Sequence, residues 1–178
     1  MSRRWKIFIG TLLILIMIVT GYLIYMKEQG NFHAITPGEA YRSALLDRDE
    51  LEKYIDKYQI KSILNLRGED MQGRWHTDEI QIGIERGLRH YDVSISAIHE
   101  PSSDNVKRIM DIFAKAPRPI LIHCQSGADR SGLVAAMWKV VVDKEPKDKA
   151  ARQLSLRYGH IPWGSTAAMD KFFWKWTP

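Results

Sequence analysis

The sequence predicts an α/β layer fold with a mostly parallel central sheet flanked by helices, preceded by one N-terminal transmembrane helix. Three observations carry that prediction. Short apolar runs of strand type alternate with segments of helical periodicity from residue 47 onward, the only cysteine falls between such a run and a helix-length apolar stretch, and residues 7–26 hold no charged side chain. Alternation of strands and helices favours parallel pairing with helices laid on the faces of the sheet. A ligand in such a fold sits beyond the carboxyl ends of the strands, which is where Cys124 falls.

Composition bounds the rest. A chain of 178 residues with 45% hydrophobic and 26% charged residues buries too much apolar surface to be disordered, and one cysteine excludes a disulfide-stapled mini-protein. The length suits one domain with an accessory segment. Ile7 to Met26 is that segment, since about 20 apolar residues cross a bilayer as a helix. A cleavable signal has a shorter apolar core and a small-residue cleavage site, whereas Tyr22, Leu23, Ile24 and Tyr25 spoil such a site here, so an uncleaved anchor is expected. Arg3, Arg4 and Lys6 oppose only Lys27, and the excess of positive charge keeps the N-terminus in the cytoplasm and the domain outside it. The expected organisation is a cytoplasmic basic flank (1–6), a single-pass anchor (7–26), a polar linker (27–30) and one domain (31–178). Without residues 1–26 the chain is almost charge-balanced, which excludes nucleic acid as a partner.

Within the domain, Leu51, Tyr54, Ile55 and Tyr58 follow i, i+3, i+4, i+7 spacing and predict a helix starting near Asp47 to Asp49. Ser62 to Leu66 reads as a short buried strand. Thr77 is placed to cap a helix through Ile80 and Ile84 that stops at Gly87, and His90 to Ile95 alternates like a strand. Val106, Ile109, Met110 and Phe113 mark the core face of a further helix, ended by Pro117 and Pro119. Pro119 to His123 is strand-like, Gly132 to Val142 is helical, and two more helices are expected over about Lys147–Tyr158 and Ser165–Trp176. Trp163, Phe172, Phe173, Trp174 and Trp176 read as amphipathic core packing in preference to a ligand or membrane surface.

Residues 123–132 read His-Cys-Gln-Ser-Gly-Ala-Asp-Arg-Ser-Gly, a Cys-x5-Arg loop between a strand and a helix. A loop of this length can turn the backbone amides of Gln125, Ser126, Gly127, Ala128, Asp129 and Arg130 inward as an anion nest, aided by the positive end of the following helix. The field that suits an anion also suits a negatively charged sulfur, which makes Cys124 a candidate nucleophile. Arg130 supplies a planar fork for two oxygens of the anion. Gly127 and Gly132 permit the tight turn and close helix packing. Ser131 is placed to donate to the sulfur, and His123 either orients the thiol or fills space at the strand end.

The motif His-Cys-x5-Arg-Ser-Gly resembles the signature of the protein tyrosine and dual-specificity phosphatase superfamily. Asn31-Phe32, Tyr41-Arg42-Ser43, Ile63-Leu64-Asn65-Leu66-Arg67 and His99-Glu100-Pro101 extend the likeness to the compact atypical dual-specificity phosphatases of bacteria, fungi and plants. The resemblance implies a phosphatase without metal or cofactor that works through a phosphocysteine intermediate, with Cys124 as nucleophile, Arg130 as clamp and Ser131 assisting departure of the sulfur. Relatives carry an acidic residue on a loop before the cysteine. Here Asp92, His99, Glu100 and Asp104 compete for that role, with Asp104 or Glu100 preferred because Asp92 falls in a predicted strand. Asp129 beside the clamp, with no lysine in the loop, fits densely charged inositol phosphates poorly. Arg42 and Arg67 either pair with nearby acids such as Glu69 or Asp70 and hold the strands' ends or, as the resemblance implies, lie near the loop and support it, the latter being preferred to substrate contact. Expected substrates are a phosphorylated protein, a phospholipid or a small phosphoester, an outward-facing domain favouring the last two. The alternative is a membrane-tethered pseudophosphatase that binds phosphorylated partners without efficient turnover. A rhodanese-type sulfur transferase is disfavoured because it lacks the Arg-Ser-Gly exit.

Overall fold

The computed structural model describes residues 2–70 and 72–178. An apolar helix, α1 (Arg3–Glu28), precedes a five-stranded sheet made of β1 (His33–Thr36), β2 (Ala40–Ser43), β3 (Ser62–Asn65), β4 (Arg89–Asp92) and β5 (Ile120–His123). Between and after the strands lie α2 (Arg48–Tyr58), α3 (Arg74–Arg86), α4 (Ser103–Lys115), α5 (Asp129–Val141), the single turn α6 (Lys147–Ala150) and α7 (Ala167–Lys175). The strand order is β1-β2-β5-β3-β4, and β5, which carries the cysteine loop, is central. Pairings β2–β5, β5–β3 and β3–β4 are parallel, while β1 and β2 form an antiparallel hairpin. The sheet is therefore mixed. The hairpin strands are four residues each and lack a clean alternation, so the sequence gives them no strand signal.

Side-chain alternation along the strands assigns the two faces. Ile120 and Ile122 of β5 and Leu64 of β3 join Ile109 and Phe113 of α4, Leu133, Met137 and Trp138 of α5, and Phe173 of α7. Leu121 and Ile63 point the other way, onto Leu51 and Ile55 of α2 and Ile82 of α3. Asp47 caps α2 through a reciprocal capping box with Glu50, as its acidic start suggests. Buried on both faces, β3 and β5 read as unbroken apolar runs.

Three expectations need correction. Helix α3 starts at Arg74, so Thr77 lies inside it, its hydroxyl donating back to the Gly73 carbonyl. Its buried face is His76, Glu79, Ile82 and Gly83, leaving Ile84 76% exposed. The face is rotated because it carries a buried polar network. Residues 147–158 form α6 and two 3-10 turns instead of one helix, the backbone being drawn out of helical geometry where the Gln153 carbonyl accepts from Arg42. Of the C-terminal aromatics, Phe173 is fully buried and Phe172 and Trp176 pack partly against the core, but Trp163 and Trp174 are exposed.

Because Ile122 is completely buried in the central strand, Ile122→Ala should destabilise the fold by about 2–5 kcal/mol in chemical denaturation. A loss below about 1 kcal/mol would show that the layer between β5 and α5 is loosely packed.

Candidate active site

Strand β5 delivers His123 to the carboxyl edge of the sheet, and residues 124–128 curl from there into the first turn of α5. Cys124 is almost fully buried, and its Sγ lies 3.5 Å from the Ser131 hydroxyl. The curl is held from outside through its carbonyls. The Gln125 carbonyl accepts from the Leu45 amide, that of Ser126 from Asn31 Nδ2 at 3.0 Å, and those of Gly127 and Ala128 from Arg42 Nη2 at 2.9 Å. Carbonyls drawn outward leave the alternate groups of the peptide planes, the amides, on the inner side, the arrangement of an anion nest. Gly127 adopts φ 70°, and a Cβ there would come within 2.6 Å of the Ala44 nitrogen. No other residue fits that turn.

Arg42 is the buried brace of this loop. Besides the two loop carbonyls, its Nη1 donates to the Gln153 carbonyl at 2.7 Å and to Gln153 Oε1 at 3.0 Å, and its guanidinium lies over the Tyr158 ring. Burial lowers its pKa to about 10, which leaves it cationic at neutral pH. Gly132 is what lets it pass, since a Cβ there would sit 3.0 Å from Arg42 Nη2. Asn31 is oriented in turn by His33, whose Nε2 is 3.0 Å from Asn31 Oδ1. Burial, reinforced by Arg42 and Arg157, lowers the His33 pKa to about 4, so that ring is neutral.

Two guanidiniums flank the inner side. Arg130 Nη1 donates to the Leu66 carbonyl at 3.4 Å, and its Nε is buried without a partner among the described residues. Arg67 lies flat on Trp75, 3.7 Å from the ring centre, and its Nη1 is likewise buried without a partner among the described residues. Burial and then the nearby charge of Arg130 lower the Arg67 pKa. The pairing of Arg67 with Glu69 or Asp70 is not formed. Asp70 instead accepts from Trp75 Nε1, so it supports the ring on which Arg67 lies.

Behind the loop runs a chain of titratable groups that sequence spacing does not announce. His123 Nε2 is 3.0 Å from Glu79 Oε2, Glu79 Oε1 is 2.6 Å from His90 Nε2, and Asp92 lies 3.3 Å from both His90 Nδ1 and His76 Nε2. Burial alone would raise the Glu79 pKa, but His123 and His90 outweigh it and hold the carboxyl well below its usual range. His90 is raised to about 9, its two carboxylate partners overcoming burial. Ligating atoms of His76, His90 and Asp92 fall within 4.8 Å of one another, although no metal-ligand spacing is visible in the sequence. The residues come from α3 and β4, brought together only by β-sheet pairing and helix packing. Asp92 is committed to these histidines and to Asn65 Nδ2. Glu100 pairs with Lys175 at 2.9 Å, Asp104 is exposed in the first turn of α4, and His99 Nδ1 meets Ser96 Oγ at 3.1 Å. Among the described residues, neither Glu100 nor Asp104 is hydrogen-bonded to residues 124–130.

Asp129, at the start of α5, is clasped by the buried His160, which also reaches Asp170 of α7 at 2.8 Å. The carboxylate beside the clamp thus anchors the C-terminal helix to the loop.

A five-stranded α/β sheet whose central strand feeds a cysteine loop and a helix defines a fold of the phosphatase class. A family model described as DSP-PTPase phosphatase fused to NAD+ kinase matches residues 47–167, more than half of the chain, and the protein belongs to that dual-specificity phosphatase family. No curated protein matches it in sequence. Among solved structures, P. aeruginosa TpbA superposes with a TM-score of 0.63 at 20% identity, over 83% of this chain and 85% of that one. A cysteine-to-serine variant of TpbA has been seen with phosphotyrosine, at TM-score 0.62, 20% identity and coverage of 81% and 83%. The catalytic core of the S. cerevisiae PP-IP phosphatase SIW14, bound to citrate, gives 0.63 at 22% identity over 80% of this chain and 83% of that one.

Burial lowers the His160 pKa, but its hydrogen bonds to the carboxylates of Asp129 and Asp170 prevail and raise it above the usual imidazole value. Its stabilisation is complete below about pH 6.5, the unfolded value, and is lost as pH rises through the raised folded value. His160→Gln should therefore cost on the order of 3 kcal/mol near pH 6 in urea denaturation, and less at alkaline pH. A cost independent of pH would show that the ring acts by packing alone.

Proposed function

We propose that the protein is a membrane-anchored phosphomonoesterase working through a phosphocysteine intermediate. The observation that carries the reading is the loop of residues 124–130, with four consecutive carbonyls tied outward and with buried N–H groups of Arg130 and Arg67 that have no partner among the described residues. A phosphoryl group supplies the acceptors these donors lack. The Cys124 thiolate attacks phosphorus in line while Arg130 and the amides of Gln125, Ser126, Gly127, Ala128, Asp129 and Arg130 hold the equatorial oxygens. The leaving oxygen takes its proton from Asp104, in the first turn of α4, or from Glu100, on the segment joining β4 to α4. Water then attacks the phosphocysteine, and Ser131 donates to the departing sulfur. His123, fixed through Glu79, orients the cysteine backbone, and Arg67 adds a second cation at the mouth. The residue set needs no cofactor.

Helix α1 holds 26 residues and is long and apolar enough to cross a membrane. We assign residues 7–26 as the span and the domain to the extracytoplasmic side. A second reading, a pseudophosphatase, draws support from the engagement of Glu100 by Lys175 and the exposure of Asp104. Turnover of an alkyl phosphate separates the two, because a poor leaving group needs the acid that an aryl phosphate does not.

Cys124→Ser should reduce aryl phosphate turnover below about a thousandth of the parent while phosphate binding persists, and Arg130→Lys should lower kcat by orders of magnitude through loss of the planar fork. Near-normal kcat in either variant would remove that residue from the mechanism. A reporter fused after Pro178 should be active only outside the cytoplasm, with the chain retained in the membrane. Activity of a cytoplasm-only reporter would reverse the orientation.

A further inference from the structure

The end of the apolar helix is built into the phosphate loop. Asn31, whose side-chain amide donates to the Ser126 carbonyl, also donates its backbone N–H to the Met26 carbonyl of α1. Met26 is the one buried residue of that helix, and Tyr22 donates its hydroxyl to the Arg157 carbonyl at 2.6 Å. Tyr22 lies one turn, about 6 Å, inside the apolar run. If the run fills the hydrocarbon layer, the segment it touches must enter the interfacial zone, where aromatic and apolar side chains are favoured. That segment has the matching surface. Leu156 is 62% exposed, Trp163 66% and Ile161 42%, although the domain has a full core to bury them in, and Arg157 follows Leu156 in the chain. A cleft of about 500 Å3, lined by Leu23, Met26, Lys27, Leu45 and Glu50 together with Ser126 of the loop, lies where α1 meets the outer side of that loop.

We infer that residues 156–163 form a bilayer seat continuous with α1, and that the substrate is a phosphomonoester carried on a membrane lipid, its acyl part remaining in the bilayer beside α1. The inference rests on the phosphomonoesterase reading above and names its substrate class. Fixed attachment at Tyr22, Met26 and Asn31 holds the loop at headgroup height, so a lipid phosphate reaches it without leaving the bilayer. A soluble phosphopeptide gains nothing from that fixed height.

The test uses the full chain in phosphatidylcholine vesicles containing phosphatidic acid, compared with glycerol 3-phosphate, which has the same leaving alkoxide but no acyl chains. An aryl phosphate and a phosphotyrosine peptide serve as soluble arms. The expected result is an apparent efficiency on phosphatidic acid at least about tenfold above that on glycerol 3-phosphate, about 1.4 kcal/mol. Leu156→Ser with Trp163→Ser should lower the lipid rate several-fold and leave the aryl phosphate rate unchanged. Brominated lipid should quench the emission of the parent more than that of Trp163→Phe, a readout of the seat that needs no activity. Equal efficiency with and without acyl chains, a preference for the phosphotyrosine peptide, or equal quenching in Trp163→Phe would overturn the inference. Loss of the aryl phosphate reaction itself would instead overturn the phosphomonoesterase reading, with the quenching still deciding the seat.

Discussion

A buried guanidinium on which loop carbonyls converge is the constraint from which the rest of this structure follows. Arg42 has no carboxylate salt-bridge partner among the described residues, and its charge is met by the carbonyls of Gly127, Ala128 and Gln153. Leaving the Arg42 Nη donors or these carbonyls unpaired in the core would cost several kcal/mol, so strand β2, the loop and the 3-10 turns after α6 are obliged to assemble together. The same bonds determine which way the peptide planes of the loop face. Inward amides are thus a by-product of satisfying a buried cation from the outside.

The two flanking networks extend that logic. His160 fixes the helical end of the loop to α7 through Asp129 and Asp170, and Glu79 fixes its strand end through His123. Each places an imidazole between acidic partners or beside one, which neutralises charge locally and leaves the loop's own field to Arg130, Arg67 and the amides. Rigid support on both ends suits the proposed hold on a phosphoryl group.

Much of this was legible in the sequence, and the misses have physical causes. Strands β3 and β5 and helices α2, α4 and α5 announce themselves because each buries a regular apolar face. The hairpin β1–β2 does not, because Arg42 and His33 occupy positions that periodicity expects to be apolar, and their partners lie more than a hundred residues away or in loops. Helix α3 was read one face out of phase for the same reason: His76 and Glu79 are buried by pairing and not by hydrophobicity. The loop that carries Cys124, Arg130 and Ser131 is legible as a turn between a strand and a helix because its glycines and both flanking apolar runs stand close together in the sequence. The acid is not, because Asp92, Glu100 and Asp104 are separated by loop conformation that local sequence does not encode, and Arg67 shows its role only once Trp75 is beneath it.

The central claim is that the nest formed by residues 124–130 passes a phosphoryl group through the Cys124 sulfur. Rapid acid quench of the full chain early in turnover of an aryl phosphate, followed by mass spectrometry of the peptide containing Cys124, tests it most directly. The account predicts one phosphoryl group on Cys124 that disappears as substrate is exhausted. Turnover with no modification of Cys124 in a quench fast enough to resolve the first cycle, or with the phosphoryl group on another residue, would contradict it.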